Sequence, residues 1–343
     1  MSTRVAVVGA TGAVGEVMRQ LLIERQFPLE DIRFLASPRS AGKAVEFKGR
    51  SYPIEPLQPE AFKDVDIVLS STPAGVSREW SPIAAKAGAI VIDNSSAWRM
   101  DPDVPLVVPE VNPHHLEHMP KGIIANPNCS TIQMVVALKP LHDQSRIKRV
   151  VVSTYQASSG KGAKGVYDLT QQLAAAAKGA PLPAPTAHAN ALAGNVLPHD
   201  WKLGEEGFSE EEWKMVRETK KIMGDESIEV APTTVRVPVR TGHAEAINLE
   251  FHSPISPEEA RVLLAKAPGI IVMDDYAKGA VPMPLHIEGR DEVFVGRIRR
   301  DPTLPYGLHL WVVADNLRKG AATNAVQIAE TLIQRQLLPG RKK

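Results

Sequence analysis

The amino-acid sequence predicts an α/β protein: a doubly wound parallel sheet, followed by an α+β domain on a mostly antiparallel sheet. Three observations carry this. Residues 1–125 repeat short continuous apolar runs, turns and helical spacings, as buried parallel strands joined by helices do. From residue 150 onward the strands are longer and alternate apolar with polar residues, the mark of a sheet with one face covered. A chain of 343 residues is also too long for one ordinary core.

Composition narrows the class. With 43% hydrophobic and 23% charged residues and a formal net charge of +1, the chain is globular and carries no field suited to nucleic acid or a membrane surface. A single cysteine excludes an internal disulfide framework and fits a reducing compartment. The N-terminus runs from Arg4 straight into Val5-Ala6-Val7-Val8, without a signal-peptide pattern, and no apolar run approaches the ~18 residues of a membrane span. A cytoplasmic location is expected. No internal repeat is present.

Val5 to Val8 reads as a strand buried on both faces, and Gly9-Ala10-Thr11-Gly12-Ala13-Val14-Gly15 follows it. Val17, Met18, Leu21 and Leu22 then recur at helical spacing. Strand, glycine turn and helix in that order form the context of a Rossmann dinucleotide fingerprint, with the pyrophosphate on the helix N-terminus. The alternative is an ordinary tight βα turn. Gly9, Thr11, Gly12, Ala13, Val14 and Gly15 are the candidate cofactor residues.

The second strand, Ile32 to Ala36, ends where an NAD site usually places a carboxylate against the ribose. This chain has Ser37-Pro38-Arg39-Ser40-Ala41-Gly42 instead. A guanidinium with the hydroxyls of Ser37 and Ser40 suits a 2′-phosphate, so NADP is expected; otherwise Arg39 is a solvated loop charge. Further strands are read at Ile67–Ser70 and Ala89–Asp93, with a helix carrying Ile83, Ala84 and Ala87 between them. Ser71, Thr72, Asn94, Ser95, Ser96 and Arg99 fall at carboxyl ends of strands, where ligands of such sheets lie. Arg99 is either an anion ligand or a surface charge.

Gly122 to Ala125 reads as a strand end, and Ile132, Val135, Val136, Leu138 and Leu141 recur at helical spacing. Between them stands Asn126-Pro127-Asn128-Cys129-Ser130-Thr131. Asn128 and Ser130 are capping residues, so Cys129 falls in the first turn, near free N–H groups and the positive end of the helix dipole. That setting favours the thiolate; the alternative is a small buried hydrophobe.

In the second domain, Val150 to Gln156 reads as a strand running into Ala157-Ser158-Ser159-Gly160-Lys161-Gly162. Alternation marks further strands at 235–240, 246–251, 293–298 and 308–313. Ala174 to Pro185 should leave a helix for an extended loop, either reaching a partner subunit or making a plain surface excursion. Glu210 to Met223 is a charged amphipathic helix, and a final helix runs from Gly320 through Ile333 with an apolar face for the first domain. Residues 1–128 and 315–343 therefore form one expected domain, and 129–314 the other.

A thiolate attacking a carbonyl needs a proton donor and acceptor, usually histidine. Of 10 histidines, His243 follows a strand and the glycine turn Thr241-Gly242, which aims a side chain into a cleft; spacing alone leaves His188, His199 and the others open. No cluster has zinc-ligand spacing, and the side chains of His114 and His115 should diverge.

These motifs, with Asp93-Asn94-Ser95-Ser96-Ala97-Trp98-Arg99, Glu218-Thr219-Lys220-Lys221-Ile222 and Arg236-Val237-Pro238-Val239 ahead of Gly242-His243, resemble bacterial aspartate-β-semialdehyde dehydrogenases over essentially the whole chain. The resemblance implies NADP-dependent interconversion of L-aspartyl-4-phosphate and L-aspartate-4-semialdehyde plus inorganic phosphate, toward lysine, threonine, methionine and diaminopimelate. It implies Cys129 as nucleophile through a thioester, His243 as general acid/base and Gln156 as the residue that orients the reacting group. It gives Arg236 to the substrate carboxylate, Glu218 to its amino group, and Arg99, Asn128 and Lys221 to phosphate. Ser159, Gly160 and Asn316 join the cofactor residues, and a homodimer or homotetramer is expected. Read from spacing alone, Glu218 and Lys221 are an i,i+3 surface pair. The rivals are a related acyl-phosphate reductase, such as N-acetyl-γ-glutamyl-phosphate reductase or a glyceraldehyde-3-phosphate dehydrogenase, and a non-catalytic NADP-binding protein.

Overall fold

The structure, a computed structural model, describes residues 3–37, 40, 42–198 and 200–339. Arg39 and His199 lie outside the described residues. The chain forms two compact units, Met1–Pro127 with Ala321–Lys343, and Asn128–Gly320.

The first unit begins with β1 (Thr3–Val8), α1 (Ala13–Glu24) and β2 (Leu29–Ala36). β3 (Ala44–Phe47), β4 (Arg50–Pro56), β5 (Ile67–Ser70), α2 (Ala74–Lys86), β6 (Ile90–Asp93) and β7 (Ile123–Ala125) follow. Its sheet order is β3-β4-β2-β1-β5-β6-β7, parallel except for the β3–β4 hairpin. The chain thus winds outward in both directions from β1, and the switch point lies between β1 and β5. The sequence reading missed the hairpin, whose turn is Lys48-Gly49 with φ 50 and 71°. That is the primed two-residue turn that matches strand twist, written without the usual Asn or Asp. Phe34, Phe47 and Tyr52 meet edge-on across it, at centroid distances of 5.5 to 6.0 Å. The last helix, Thr323–Gln334, lays Ala325, Val326, Ala329 and Leu332 into this core. Each buried Val or Leu there contributes roughly 1.5–3 kcal/mol.

The second unit contains α3 (Cys129–Gln144), β8 (Ile147–Gln156), α4 (Gly162–Ala177), α5 (Glu210–Met223), β9 (Glu229–Arg236) and β10 (His243–Phe251). α6 (Pro257–Lys266), β11 (Ile270–Val272), α7 (Pro284–Ile287), β12 (Val293–Arg300) and β13 (Gly307–Ala314) complete it. Its sheet order is β11-β12-β13-β10-β8-β9, antiparallel at the centre and parallel in β11–β12 and β8–β9.

The strand expected at 235–240 is displaced: β9 ends at Arg236. Pro238 has no N–H for a ladder, and the carbonyls of Val239 and Arg240 turn to the N–H groups of Ser158 and Ser159 instead. α5 starts on a capping box, Ser209 with Glu212, and ends at Gly224 in the left-handed conformation. After Ala177 the chain leaves α4 through a turn at Lys178-Gly179 and runs without helix or strand through Pro185, anchored beyond it by Asp168, which accepts the N–H groups of Thr186 and Ala187. α3 touches β8, β10, β12, β13, α5 and α6, and is therefore buried almost all round.

Candidate active site

Strand register sets the site in the second unit. Gln156, the last residue of β8, pairs with Arg236 at the end of β9. On the other side Tyr155 pairs with Ala244, which brings His243 beside Gln156 at the start of β10. Three neighbouring strands thus deliver an amide, a guanidinium and an imidazole to one edge. The Gln156 amide donates to Ser130 Oγ at 2.5 Å, and the Ala157 N–H donates to His243 Nδ1 at 3.0 Å. The helix start that carries Cys129 is thereby tied to Gln156, and Gln156's neighbour to His243.

Cys129 is the first residue of α3 and half-buried. Asn128 caps the helix, its Oδ1 accepting the N–H groups of Ser130 and Thr131 at 3.0 and 3.2 Å. Such a cap stabilises by about 1 kcal/mol and fixes the first turn. Gly320 packs on this turn; a Cβ there would lie 3.0 Å from Cys129 Cβ, so a larger residue would displace the cysteine.

His243 is fully buried, and its Nε2 has no hydrogen-bond partner among the described residues. Burial, and then the charge of Arg236, push its pKa down to about 3, against a smaller opposing pull from Glu211. Since Nδ1 accepts the Ala157 N–H, the neutral ring carries its proton on Nε2 and presents a donor. Gly160 makes room for it: a Cβ there would stand 2.7 Å from Arg236 Nη1 and 3.4 Å from His243 Nε2.

Arg236, 2% exposed, donates from Nε to Asp200 at 2.9 Å and from Nη1 to the Ala157 carbonyl at 2.8 Å, with its guanidinium 4.6 Å from the Trp201 ring. Burial raises the Asp200 carboxyl, but His188, the Ala189 N–H and Arg236 outweigh it and hold Asp200 well below the usual range. His188 is committed to Asp200 through Nδ1 and to Ser158 through Nε2, at 3.0 and 2.8 Å. It therefore serves the support of Arg236 rather than Cys129. Spacing had left it open beside His243.

Glu218 is buried and accepts the Asn128 backbone N–H at 2.6 Å, so it is not half of an exposed surface pair. Lys221, one turn on, is half-buried. Sequence reasoning missed Glu211, seven residues before Glu218 on the same face of α5. Its Oε1 accepts the side-chain amides of Asn128 and Gln156 at 2.8 and 3.2 Å, and its Oε2 accepts Lys214 at 3.2 Å. Burial pushes this carboxyl up, yet Lys214, Asn128, Gln156 and Arg236 together bring it down to about 2. The one available signal was an acidic residue on the inward stripe of an amphipathic helix. Asp200 gave no signal at all.

Asn316 Oδ1 accepts the Ser159 hydroxyl and the Gly242 N–H at 3.0 and 2.9 Å, which brings Ser159, Asn316 and the turn before His243 together.

In the first unit the fingerprint loop is shaped by contact. Gly9 has φ +81°, and a Cβ on it would lie 2.2 Å from the Ser71 carbonyl. On Gly15 a Cβ would lie 2.3 Å from the Gly9 carbonyl. These two glycines are demanded by the strand–helix packing and set Ser71 and Thr72 against the loop. Gly12, by contrast, would bring a Cβ only to 3.4 Å of the Gly9 carbonyl, so packing alone does not require it. It stands at the N-cap of α1, ahead of Ala13 and Val14, with no side-chain cap bond. A bare helix start with an uncluttered approach fits a pyrophosphate. Thr11 is exposed beside it; Ser37 and Ser40 lie beyond β2, joined by a turn bond of 2.8 Å.

Arg99 is 8% exposed and donates to the carbonyls of Asn126 and Asn94, each at 3.0 Å. The surface-charge alternative is thereby removed. Burial raises the carboxyl of its neighbour Asp93 despite the Ser95 hydroxyl bonded to it.

His114 and His115 do not diverge as expected; their rings pack edge-on at 4.5 Å in the short helical turn Pro113–Glu117, with Asn112 on His115 Nδ1. Among the described residues no group of three or more His, Cys, Asp or Glu is placed to hold a metal, and no helix is long and apolar enough to cross a membrane.

A parallel sheet wound outward from a glycine fingerprint, with a cysteine at a helix start whose next residue binds a buried glutamine neighbouring a buried histidine, points to an oxidoreductase of the semialdehyde dehydrogenase class. The model of the semialdehyde dehydrogenase NAD binding domain matches residues 4–119, and that of the semialdehyde dehydrogenase dimerisation domain matches 138–319. Aspartate-semialdehyde dehydrogenase of Aquifex aeolicus is 56% identical over 340 residues, covering 98% of this chain and 100% of that one. The Synechocystis protein of that name is 49% identical over 332 residues, covering 97% and 98%. The structure of aspartate semialdehyde dehydrogenase II from Vibrio cholerae complexed with ASA matches with a TM-score of 0.94 at 46% identity, over 97% of this chain and 99% of that one. A structure with NADP from Candida albicans matches at 0.78 and 28% identity, over 98% and 100%. The chain belongs to the aspartate-semialdehyde dehydrogenase family, and is thus an enzyme, an oxidoreductase of amino-acid biosynthesis. The acetylglutamyl-phosphate reductase and non-catalytic readings fall away.

Proposed function

We propose that the enzyme interconverts L-aspartyl-4-phosphate and L-aspartate-4-semialdehyde plus inorganic phosphate, with NADP, through a thioester on Cys129. The observation that carries this reading is the convergence of Gln156, Arg236 and His243 at one edge of the second sheet, tied through Ser130 to the start of the Cys129 helix.

In the biosynthetic direction the Cys129 thiolate adds to the acyl carbon of aspartyl-4-phosphate. The oxyanion so formed takes a hydrogen bond from His243 Nε2–H, the acid/base candidate. Phosphate leaves with the electron pair of its C–O bond, received by Arg99, Asn128 and Lys221, and a thioester remains. The loop of Gly9, Thr11, Gly12, Ala13, Val14 and Gly15 would hold NADPH, which would supply the hydride, and Ser37, Arg39 and Ser40 suit its 2′-phosphate by residue type. Ser71, Thr72, Ser159, Gly160 and Asn316 complete its site. The thiohemiacetal oxygen meets the same His243 donor, the C–S bond breaks, and semialdehyde leaves with Cys129 restored as thiolate. Gln156 orients the reacting group, Arg236 pairs with the α-carboxylate and Glu218 with the amino group. The matched dimerisation domain and the single cysteine fit a homodimer or homotetramer in the cytoplasm.

The test is reduction of NADP⁺ by the purified protein with L-aspartate-semialdehyde and phosphate, beside Cys129→Ala. Absorbance at the reduced nicotinamide should rise only when both substrates are present and should vanish in the variant, which still binds NADP. Turnover by Cys129→Ala would remove the thioester from the mechanism.

A further inference from the structure

The acceptor that fixes the orientation of Gln156 is Glu211, a residue the reaction as drawn above does not use. A carboxylate accepts hydrogen bonds and donates none, so any amide bound to it must turn its nitrogen inward. Glu211 Oε1 receives two such nitrogens, Asn128 Nδ2 at 2.8 Å and Gln156 Nε2 at 3.2 Å. Ser130 Oγ takes the Gln156 nitrogen as well, at 2.5 Å. Glu211 is itself buried, held by Lys214 on its other oxygen and seated two turns from Glu218 on the inner face of α5. The Asn128 amide is equally constrained, with its oxygen on the N–H groups of Ser130 and Thr131 and its nitrogen on Glu211.

We propose that Glu211 is a positioning residue of this reaction: its buried carboxylate locks the amides of Asn128 and Gln156, so that Gln156 offers its carbonyl oxygen, not an N–H, to the reacting group. The inference rests on the reading that Cys129 and Gln156 are the reacting site. It assigns opposite polarities to the two neighbours of the substrate oxygen. His243 Nε2–H is the donor that steadies negative charge, and Gln156 Oε1 is an acceptor that holds a protonated or partially positive group. Without Glu211 only the Ser130 hydroxyl remains, which can donate as well as accept, so the Gln156 amide can flip and set two donors at the site, and the helix cap at Cys129 loses the partner that holds its side chain.

The experiment compares wild type, Glu211→Ala and Glu211→Gln in the phosphate-dependent NADP⁺ assay, with the melting temperature of each followed with and without NADP. A glutamine at 211 has the same shape and accepts both amides through Oε1, while the half-exposed Lys214, which a glutamine nitrogen can no longer accept, turns to solvent, so orientation survives while charge is lost. Glu211→Ala should lower kcat by about 100-fold, the scale of an ångström misplacement, with KM for semialdehyde changed less than about threefold. Glu211→Gln should recover at least about tenfold of that loss. An Ala variant that keeps kcat within about threefold, melting shift or not, overturns the proposal by leaving only a structural role. A Gln variant as inactive as the Ala variant, yet folded and NADP-binding, overturns it by placing the effect in the charge. No turnover by wild type overturns the underlying assignment of the reaction instead, and the inference falls with it.

Discussion

His243 should stay neutral, with its proton on Nε2, across the whole range in which the enzyme works. Burial and the Arg236 guanidinium bring its pKa from 6.5 to about 3, so at pH 6 roughly one ring in a thousand is protonated. The Ala157 N–H on Nδ1 adds a geometric reason, because a second ring proton would point at that donor. The energetic consequence has a definite sign. Between pH 3 and 6.5 the unfolded chain binds a proton at this site and the folded chain does not, so stability rises with pH through that window. On going from pH 7 to pH 5 the folded state loses about 2 kcal/mol from this one group, at 1.36 kcal/mol per unit. Two measurements check it. In histidine-labelled protein, the resonances that vanish in His243→Gln should not move between pH 5.5 and 8, and the nitrogen shifts should report a bare Nδ1. Urea unfolding at pH 7 and pH 5 should show a loss of stability smaller in His243→Gln by about 2 kcal/mol. A His243 titration centred near pH 6.5, or a proton found on Nδ1, would refute the reasoning.

Asp200→Ala should destabilise by roughly 3–5 kcal/mol, because it leaves the buried Arg236 guanidinium without its carboxylate; calorimetry of the variant checks this. Asp200→Asn keeps the volume but only a neutral acceptor, so KM for aspartate semialdehyde should rise by roughly tenfold with kcat less affected; an unchanged KM would show that Asp200 does not hold Arg236 for substrate. Glu245, on β10 two residues past His243, makes the opposite pH prediction. It is fully buried, and burial raises its pKa well above 4.5, only partly opposed by the Gln133 side-chain amide. The folded state therefore keeps a proton that the unfolded chain releases, and stability falls as pH rises above 4.5. Melting curves should show Glu245→Gln gaining on wild type more at pH 8 than at pH 5.

What was legible in the sequence is what period and punctuation encode. Val5 to Val8 with the glycine run announced the first sheet, and Asn128 before an apolar helix announced the Cys129 turn, because strands, caps and glycines act within a few residues of themselves. What was not legible depends on register and on polar burial, which no local window contains. The end of β9 was misplaced because Val235 to Arg240 alternates like a strand, whereas Pro238 breaks the ladder and the carbonyls of Val239 and Arg240 turn to Ser158 and Ser159. That break shapes the candidate site: it ends the ladder at Arg236, opposite Gln156, and lets the chain return through Gly242 to start β10 at His243. Helix α5 misled in the same way. Glu210 to Met223 reads as a solvated charged helix, yet its inner stripe is Glu211, Met215, Glu218 and Ile222. Two carboxylates on a buried stripe cost more than the packing around them returns unless donors wait on the other side. Here the donors are the Asn128 backbone, the Asn128 amide and the Gln156 amide, brought from the start of α3 and the end of β8. The inward-facing acid on a helix is thus the trace that an active site leaves in a sequence when its partners are distant. It becomes interpretable only when the register of the neighbouring strands is known.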